Sequence, residues 1–478
     1  MAPGASSTPS ERVVIVGAGA AGLLAALAAR GAVSAKGEPS APRSASPSVL
    51  LLDGSKRIGL KILVSGGGRC NVTNERVTEQ DFCTGEPRRV RGALAGFPPD
   101  SIRRFLEARG VPLYAEPLGK LFPVTNRADD VLGALLSAVH EAGAEVRAEA
   151  DVVDVVPGPA RGGFRVVLQS GEALFADRVV LATGGKSLPR TGSRGFGFDL
   201  AVRLGHTVVE PLPALAPLVL GPEGPLAGIA GVTVPALLSL VPSGAPPEQI
   251  AGARFRPLAR AAGSLLVTHR GASGPAALDV SAACARALRE KRSVTLEGDF
   301  WTLTRPEGAW APFLAFAKPP GACLASTDTP RLVRLDEFRA ELLALAGERT
   351  LLNALSLRMP RALAEGLLRV FAGAKALDAS STPRTFGAPA WRAIHAAVVH
   401  ADLRVAGVDG YEKAEATAGG VALDQLDRVT LESRLHPGLF FCGEVCDVVG
   451  RLGGFNFQWA WSSGFAAGRA CGGTARVD

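Results

Sequence analysis

Residues 12–22 read RVVIVGAGAAG, and LLAALAAR follows at 23–30. A short apolar run bounded by glycine suits a strand buried on both faces. The Ala/Leu stretch after it suits a helix to about Arg30. Between them, Gly17 permits a tight turn, Gly19 lets the backbone approach a pyrophosphate, and Gly22 lets helix and strand pack closely. Ala20 opens the helix, whose free N–H groups and positive dipole end would face the phosphates. The pattern predicts a dinucleotide site. Such a site wants an acid at the end of the next strand, about 20 residues on, to hold a ribose hydroxyl. The strand VLLLD at 49–53 ends on Asp53, which is 36 residues past Gly17 (53 − 17). The intervening VSAKGEPSAPRSASPS at 33–48 is rich in Ser, Pro and Ala and reads as a flexible surface insertion. Without it the spacing is close to the usual one.

Working outward, KILVSGGGRCNVTN at 61–74 is a Gly-rich loop without regular period. Residues 101–109 and 130–142 read as amphipathic helices, and 145–181 alternates like a β-meander. From about 206 to 330 the chain shows short β-rich stretches and little helical period. Residues 331–376 are helical in pattern, and strand-and-glycine elements return at 404–478. VVLATGGKS at 179–187 and GLFFCGE at 438–444 lie far from the first glycine turn. One long cofactor touched by several chain segments explains their return, and FAD suits that better than NAD. There is no second GxGxxG, so a separate NAD(P)H domain is not evident.

A chain of 478 residues is long enough for two or three domains. With 47% hydrophobic and 20% charged residues it is globular and not disordered. Seven cysteines, an odd number, suit reduced thiols in a cytosol. The apolar run from Val13 to Ala29 is interrupted by three glycines and is short for a membrane span. A cytoplasmic protein without membrane association or a metal site is expected. His395 and His400, five apart, are poorly spaced for a metal on one helix face.

Several stretches together resemble the YhiN/BaiN-type family of NAD(P)/FAD-dependent oxidoreductases, which includes aminoacetone-oxidase-like relatives. They are VIVGAGAAGLLAA, ILVSGGGRCNVTN, GKLFPVTNRADDVL, LATGGKSLPRTGS, LGHTVVEPLPALAPL, LLVTHRGASGPAALDVS, TAGGVALD and LESRLHPGLFFCGEVCDVVGRLGGFNFQWAWSSGFAAG. They span nearly the whole chain in family order. The departures are the 33–48 insertion and a weaker match across 295–400. The resemblance implies an α/β fold: a Rossmann-like FAD-binding domain built from both chain ends, with an inserted β-barrel-like domain and a helical segment. The expected division is 1–205 and 401–478 for the FAD domain, 206–330 for the β-rich substrate domain, and 331–400 for the helical segment returning to the barrel.

The resemblance also implies a flavin-side loop at Ser65, Gly66, Gly67, Arg69, Cys70 and Asn71, with Thr183 and Gly184 at a second cofactor turn. Gly443 and Glu444 would lie near the ribityl chain. Gly454, Phe455 and Asn456 would begin a helix aimed at the flavin pyrimidine ring, where its dipole favours negative charge. Three residues are candidates for catalysis. Cys70 beside Arg69 is either an acid or redox thiol or a small packed residue. His269 is either a proton-handling group or structural, and Lys186 either sits near the flavin or is exposed.

Family members have been linked to reducing conjugated C=C bonds in steroid-like enones, to oxidising a small amino ketone, and to reducing uridine in ribosomal RNA to dihydrouridine. The leading expectation is an oxidoreductase for a small organic substrate, a conjugated C=C or an amino ketone, with NAD(P)H as transient donor. Dihydrouridine formation is the alternative, and a non-catalytic flavin-binding protein is the third. Residues 251–292 carry eight Lys/Arg against Asp279 and Glu290, hence +6 of the net +7. That segment is either an RNA contact or a solvated face. Oligomeric state cannot be read from the sequence.

Overall fold

The computed structural model describes residues 11–42, 46–159, 162–250, 255–305, 323–324, 332–372 and 379–473. The chain divides into two units, one of residues 1–211 with 416–478, the other of 212–415.

The first unit is built on a five-stranded parallel sheet. Its order is Leu439–Phe441, Arg178–Leu181, Arg12–Val16, Ser48–Leu52, Glu145–Arg147. Both faces are covered, which is why the central strands are apolar throughout. Alternation sends Val13, Ile15, Val49 and Leu51 into one core, and Val14, Val16, Leu50 and Leu52 into the other. The first core lies under the helices Ala20–Ala29, Ala128–Glu141 and Phe455–Cys471. The second lies under the antiparallel trio Val152–Pro157, Phe164–Leu168 and Ala173–Ala176. The stretch 145–181, read as one meander, is therefore split: its ends join the parallel sheet and its middle covers it.

The helices Ala20–Ala29 and Phe455–Cys471 tie the two ends of the chain together. A Cβ on Gly464, Gly468 or Gly472 would lie 2.4, 2.1 or 2.5 Å from the carbonyl oxygens of Ala21, Ala25 and Ala29. Glycine every fourth residue on one helix and alanine every fourth on the other let the backbones approach this closely. The last helix also buries polar groups that clasp other segments. Gln458 Nε2 and Ser462 Oγ donate to the Phe97 carbonyl at 2.8 and 2.7 Å, and Trp461 Nε1 donates to Val72 O at 2.9 Å.

The 33–48 stretch differs from the expectation of a loose loop. Val33 and Pro39 form a β-bridge, and Ser101 Oγ donates to Ala35 O at 2.7 Å. Gly37 (φ +80°) is buried so tightly that a Cβ there would meet the Ser101 carbonyl oxygen at 1.9 Å. Residues 43–45 lie outside the described residues.

The second unit carries an antiparallel sheet in the order Ala401–Asp402, Val294–Asp299, Thr233–Pro242, Ala259–Thr268, Gly271–Ser273, Leu218–Leu220, Val405–Val408, with Cys323–Leu324 added on Ala259–Thr268. Its two edge strands are consecutive in the chain. A flat sheet of seven strands would be about 29 Å wide. Asp402 and Val405 are three residues apart, so the chain spans no more than about 11 Å between them. The sheet must therefore roll up, although among the described residues no ladder closes it into a barrel. Helix Pro275–Arg289 lies in a region where the sequence shows little helical period. Its buried stripe, Ala276, Ala277, Val280, Cys284 and Ala287, has helical spacing, but small residues give it little hydrophobic contrast. Helices Leu335–Ala346, Leu351–Leu355, Arg361–Ala372 and Ala388–Val399 form the helical segment.

Candidate nucleotide and flavin site

The site starts where strand Arg12–Val16 ends. Gly17 takes φ +104°, and a Cβ there would lie 2.3 Å from Ala182 O on the neighbouring strand's exit. A Cβ on Gly22 would strike Gly17 O at 1.9 Å, so this glycine brings helix and turn together. Gly19 is different: a Cβ there would meet no atom within 4 Å. Close packing explains the outer two glycines. The middle one faces open space, as a backbone cradle for a phosphate group would. Gly19 is also the N-cap of Ala20–Ala29, with no side-chain cap and no acid in the first turn. Nothing in that turn competes with an anion at the dipole's positive end.

Asp53, at the end of strand Ser48–Leu52, accepts from Ala18 N–H through Oδ2 at 2.9 Å and from Ser55 N–H through Oδ1 at 2.8 Å. Each oxygen keeps a further lone pair for a hydroxyl. Beyond strand Arg178–Leu181, Thr183 has a buried hydroxyl with no hydrogen-bond partner among the described residues, and Gly184 turns with φ +72°. The open side of Gly19, the uncapped helix end, the acid and this orphan hydroxyl fit a dinucleotide.

The SGGGRCN loop folds as a left-handed turn. Gly66, Gly67 and Gly68 have φ +56°, +71° and +85°, and all three are exposed. Ser65 Oγ is tied to Ile62 O at 2.8 Å. Arg69 does not activate Cys70. Its guanidinium pairs with Glu116 at 2.6 Å and stacks 4.1 Å over the Phe122 ring. Cys70 is fully buried in the core beneath the sheet, and burial pushes its thiol up to about 12. Of the two readings of Cys70, its complete burial favours the small packed residue over the reactive thiol. Asn71 links this loop to the last helix, its amide donating to Thr73 O at 2.9 Å and accepting from Gly454 N–H at 3.1 Å.

Glu444 anchors the opposite wall. Its Oε2 accepts from Lys61 Nζ at 2.8 Å and Gly185 N–H at 3.0 Å. Its Oε1 accepts from Thr417 N–H at 2.8 Å and Ser187 Oγ at 3.2 Å. Lys61 also donates to Ser187 Oγ at 2.8 Å, and Thr417 Oγ1 accepts from the N–H groups of Lys186 and Ser187. A carboxylate has about four acceptor positions, and protein donors from three segments, at 61, 185–187 and 417, fill them all, so Glu444 clasps those segments and has none left for a ribityl hydroxyl. Sequence reasoning missed Lys61, Ser187 and Thr417. The only signal was the place of Ser187 and Thr417 inside stretches that match the family, and of Lys61 next to one. Gly443 is enclosed, its N–H donating to Ser463 Oγ at 2.9 Å and its carbonyl accepting from Trp459 Nε1 at 2.9 Å.

At the start of the last helix, Gly454 has φ +94°, and a Cβ there would lie 2.4 Å from Thr73 O. The Phe455 ring is fully buried under Arg451, whose guanidinium lies 4.0 Å from its centroid. Asn456 closes a local turn by bonding both backbone groups of Gly450, at 2.8 and 2.9 Å. The side chains of Phe455 and Asn456 are thus spent inside the protein.

The remaining candidates scatter. Lys186 is half-buried along Gly195, and among the described residues it forms no ion pair. His269 is exposed at a hairpin tip in the second unit. The described cations of the basic segment 251–292 differ in their surroundings. Arg254 lies outside the described residues. Arg260 is half-buried, donates to Ser239 Oγ at 3.0 Å, and has its pKa pulled down by burial. Arg286 and Arg289 occupy the last turn of Pro275–Arg289, a favourable place for cations beside a helix C-terminus, and Arg292 pairs with Glu290 at 2.6 Å.

A parallel sheet carrying this glycine turn, an acid on the next strand, and a C-terminal helix packed back on the first define a dinucleotide-binding protein with a Rossmann-like core. More narrowly, the chain belongs to the HI0933-like family, whose Rossmann-domain model matches residues 11–470. A protein of Escherichia coli K12 named ribosomal RNA dihydrouridine synthase is 31% identical over 456 residues, 95% of this chain and 96% of its own. The 3-dehydro-bile acid delta(4,6)-reductase of Clostridium scindens is 29% identical over 465 residues, 96% of this chain and 98% of its own. Among solved structures, the 3-ketosteroid delta1-dehydrogenase of Sterolibacterium denitrificans aligns over 98% of this chain and 100% of that one. Its identity is 13% and its TM-score 0.46, too remote to bear on function. Among the described residues no helix is long and apolar enough to cross a membrane.

Proposed function

We propose that this protein reduces a C=C bond conjugated to a carbonyl, and that the bond is the C5–C6 bond of a uridine in ribosomal RNA. The observation that carries the proposal is the end-to-end match, 31% over 95% of the chain, to a relative named for that reaction. The Clostridium scindens relative, matched over 96% of the chain, favours a second reading, a small enone such as a 3-keto steroid. Both substrates are alkenes polarised by a carbonyl, so one site chemistry serves either.

FAD, when bound, supplies the electron pair, and the protein supplies the rest. Gly17, Gly19 and Gly22 with the first turn of Ala20–Ala29 would hold the pyrophosphate, Asp53 the adenosine ribose, and Thr183 a further polar atom. The exposed Gly66–Gly68 turn would line the flavin side. The Glu444 clasp fixes the loops at 61, 185–187 and 417 relative to one another, so their positions do not depend on the ligand. Saturating a C=C bond also requires a proton at carbon. Cys70 is too deeply buried to deliver it, so the candidate within this unit is Lys186 through Nζ. NAD(P)H is the proposed donor, visiting transiently.

Nucleoside mass spectrometry of ribosomal RNA incubated with FAD-loaded protein and NAD(P)H tests the reading. A new nucleoside two mass units above uridine is expected. Unchanged uridine together with rapid turnover of a 3-keto-4-ene steroid would replace it with the second reading.

A further inference from the structure

We infer that two loops of the first unit, 54–61 and 186–195, together form a docking surface for the phosphate backbone of RNA. This rests on the ribosomal-RNA reading above. The loops contain Lys56, Arg57, Lys61, Lys186, Arg190 and Arg194 and no acid. They are fastened to each other: Lys61 Nζ donates to Ser187 Oγ at 2.8 Å, and a Cβ on Gly192 would lie 2.6 Å from Ser55 Oγ. Lys56, Arg57, Arg190 and Arg194 are exposed. Lys61 is neutralised by Glu444, and Arg57 pairs with Asp129 across an exposed contact of 3.0 Å. Among the described residues, Lys56, Lys186, Arg190 and Arg194 have no ion pair.

The second loop is a fixed turn. Leu188 is left-handed at φ +49°, Thr191 donates to Leu188 O through both N–H and Oγ1 at 2.8 Å, and Gly192 N–H donates to Pro189 O at 3.0 Å. Cations held this way on adjoining loops repel one another, and a polyanion offsets that repulsion. The surface also begins at the residue after Asp53, which contacts the glycine turn through Ala18 N–H. An RNA strand bound there lies beside the cofactor cradle. FAD has no need of these charges, because the 17–22 turn already provides for its pyrophosphate. The cations are spread over open loops and not gathered in a pocket, which suits a chain of phosphates and not a single small anion.

The test uses the full FAD-loaded chain carrying Lys56→Glu, Arg190→Glu and Arg194→Glu together, with deproteinised ribosomal RNA titrated at several salt concentrations. Wild-type protein should show salt-dependent binding. The variant should bind roughly tenfold or more weakly at low salt, with a log–log salt slope shallower by about 2–3. Its flavin absorbance and thermal midpoint should match wild type. Reversing Arg286, Arg289 and Arg292 instead should leave binding within about twofold, since those charges serve a helix end. Unchanged RNA binding in the loop variant, loss of its FAD, absence of salt-dependent binding by wild type, or loss of binding only in the helix variant would each overturn the inference. Dihydrouridine formation is scored separately. A wild type that binds RNA through these loops but leaves uridine unreduced overturns the proposed substrate and not the surface. A loop variant that binds like an active wild type overturns the surface and not the substrate.

Discussion

A Cβ built on Gly468 lies 2.1 Å from the carbonyl oxygen of Ala25, a separation no pair of unbonded atoms tolerates. Here a helix from the end of the chain touches one from its start, backbone to backbone. Gly468→Ala must push the two helices apart or bend one. Overpacking of this kind costs about 1–3 kcal/mol. The thermal midpoint of the FAD-loaded protein should therefore fall, and Gly468→Val should lower it further. A midpoint equal to wild type for both would show that the helices are not held at this distance.

The glycine turn separates a binding effect from a folding effect. Gly19→Val adds its side chain to open space, where a Cβ meets nothing within 4 Å. The variant should fold, with a far-ultraviolet circular dichroism spectrum like wild type, yet purify without yellow colour. Gly22→Val drives its Cβ against Gly17 O, 1.9 Å away, and should give little soluble protein at all. If Gly19→Val retained stoichiometric FAD, the cradle would lie elsewhere.

The difference between those two glycines is legible in the amino-acid order itself. The succession strand, turn, helix, acid is local, and local patterns survive in sequence. The pairing of both chain ends in one domain is legible too, since the Gly-rich stretches of 438–468 repeat the chemistry of the first turn. Roles set by distant partners are not. Arg69 beside Cys70 suggests a lowered thiol pKa, but the guanidinium turns to Glu116 and Phe122. The 33–48 segment has a loop's composition. Its packing includes contacts with Ser101, remote in sequence. Helix Pro275–Arg289 is hidden because alanine contributes to both faces of a helix alike.

The Glu444 clasp should behave as one unit. Glu444→Gln keeps the shape but exchanges two of the four acceptor positions for donors. It leaves Lys61 without its counter-charge and at least one backbone N–H unpaired. The cost should be about 1–3 kcal/mol. Lys61→Met should cost less, because it frees the carboxylate to bind water at a site that is partly exposed. Lys61 and Glu444 are 2.8 Å apart, so the double variant should be less destabilised than the two single effects added together. Chemical denaturation of all four proteins measures the coupling. Strict additivity would mean that the pair holds nothing in common.

Burial of the thiols lowers stability at alkaline pH. Cys70, Cys284 and Cys471 are pushed from an ordinary 9.0 up to about 12, in each case first by burial. In the unfolded chain these thiols release their protons near pH 9, whereas the folded protein keeps them. The unfolded state therefore binds fewer protons, and stability falls as pH rises from about 9 toward 12. Below pH 9 both states hold the protons and the thiols contribute no slope. Cys70→Ala removes one such group, so its stability should decline less steeply than wild type above pH 9, even though the cavity lowers it at neutral pH. Its FAD content and turnover at pH 7.5 should stay within a few-fold of wild type, because a thiol buried in the core touches no substrate. Thermal melts from pH 7 to 10.5, with turnover measured alongside, decide the matter. A Cys70→Ala protein with full FAD and no turnover would return Cys70 to the chemistry.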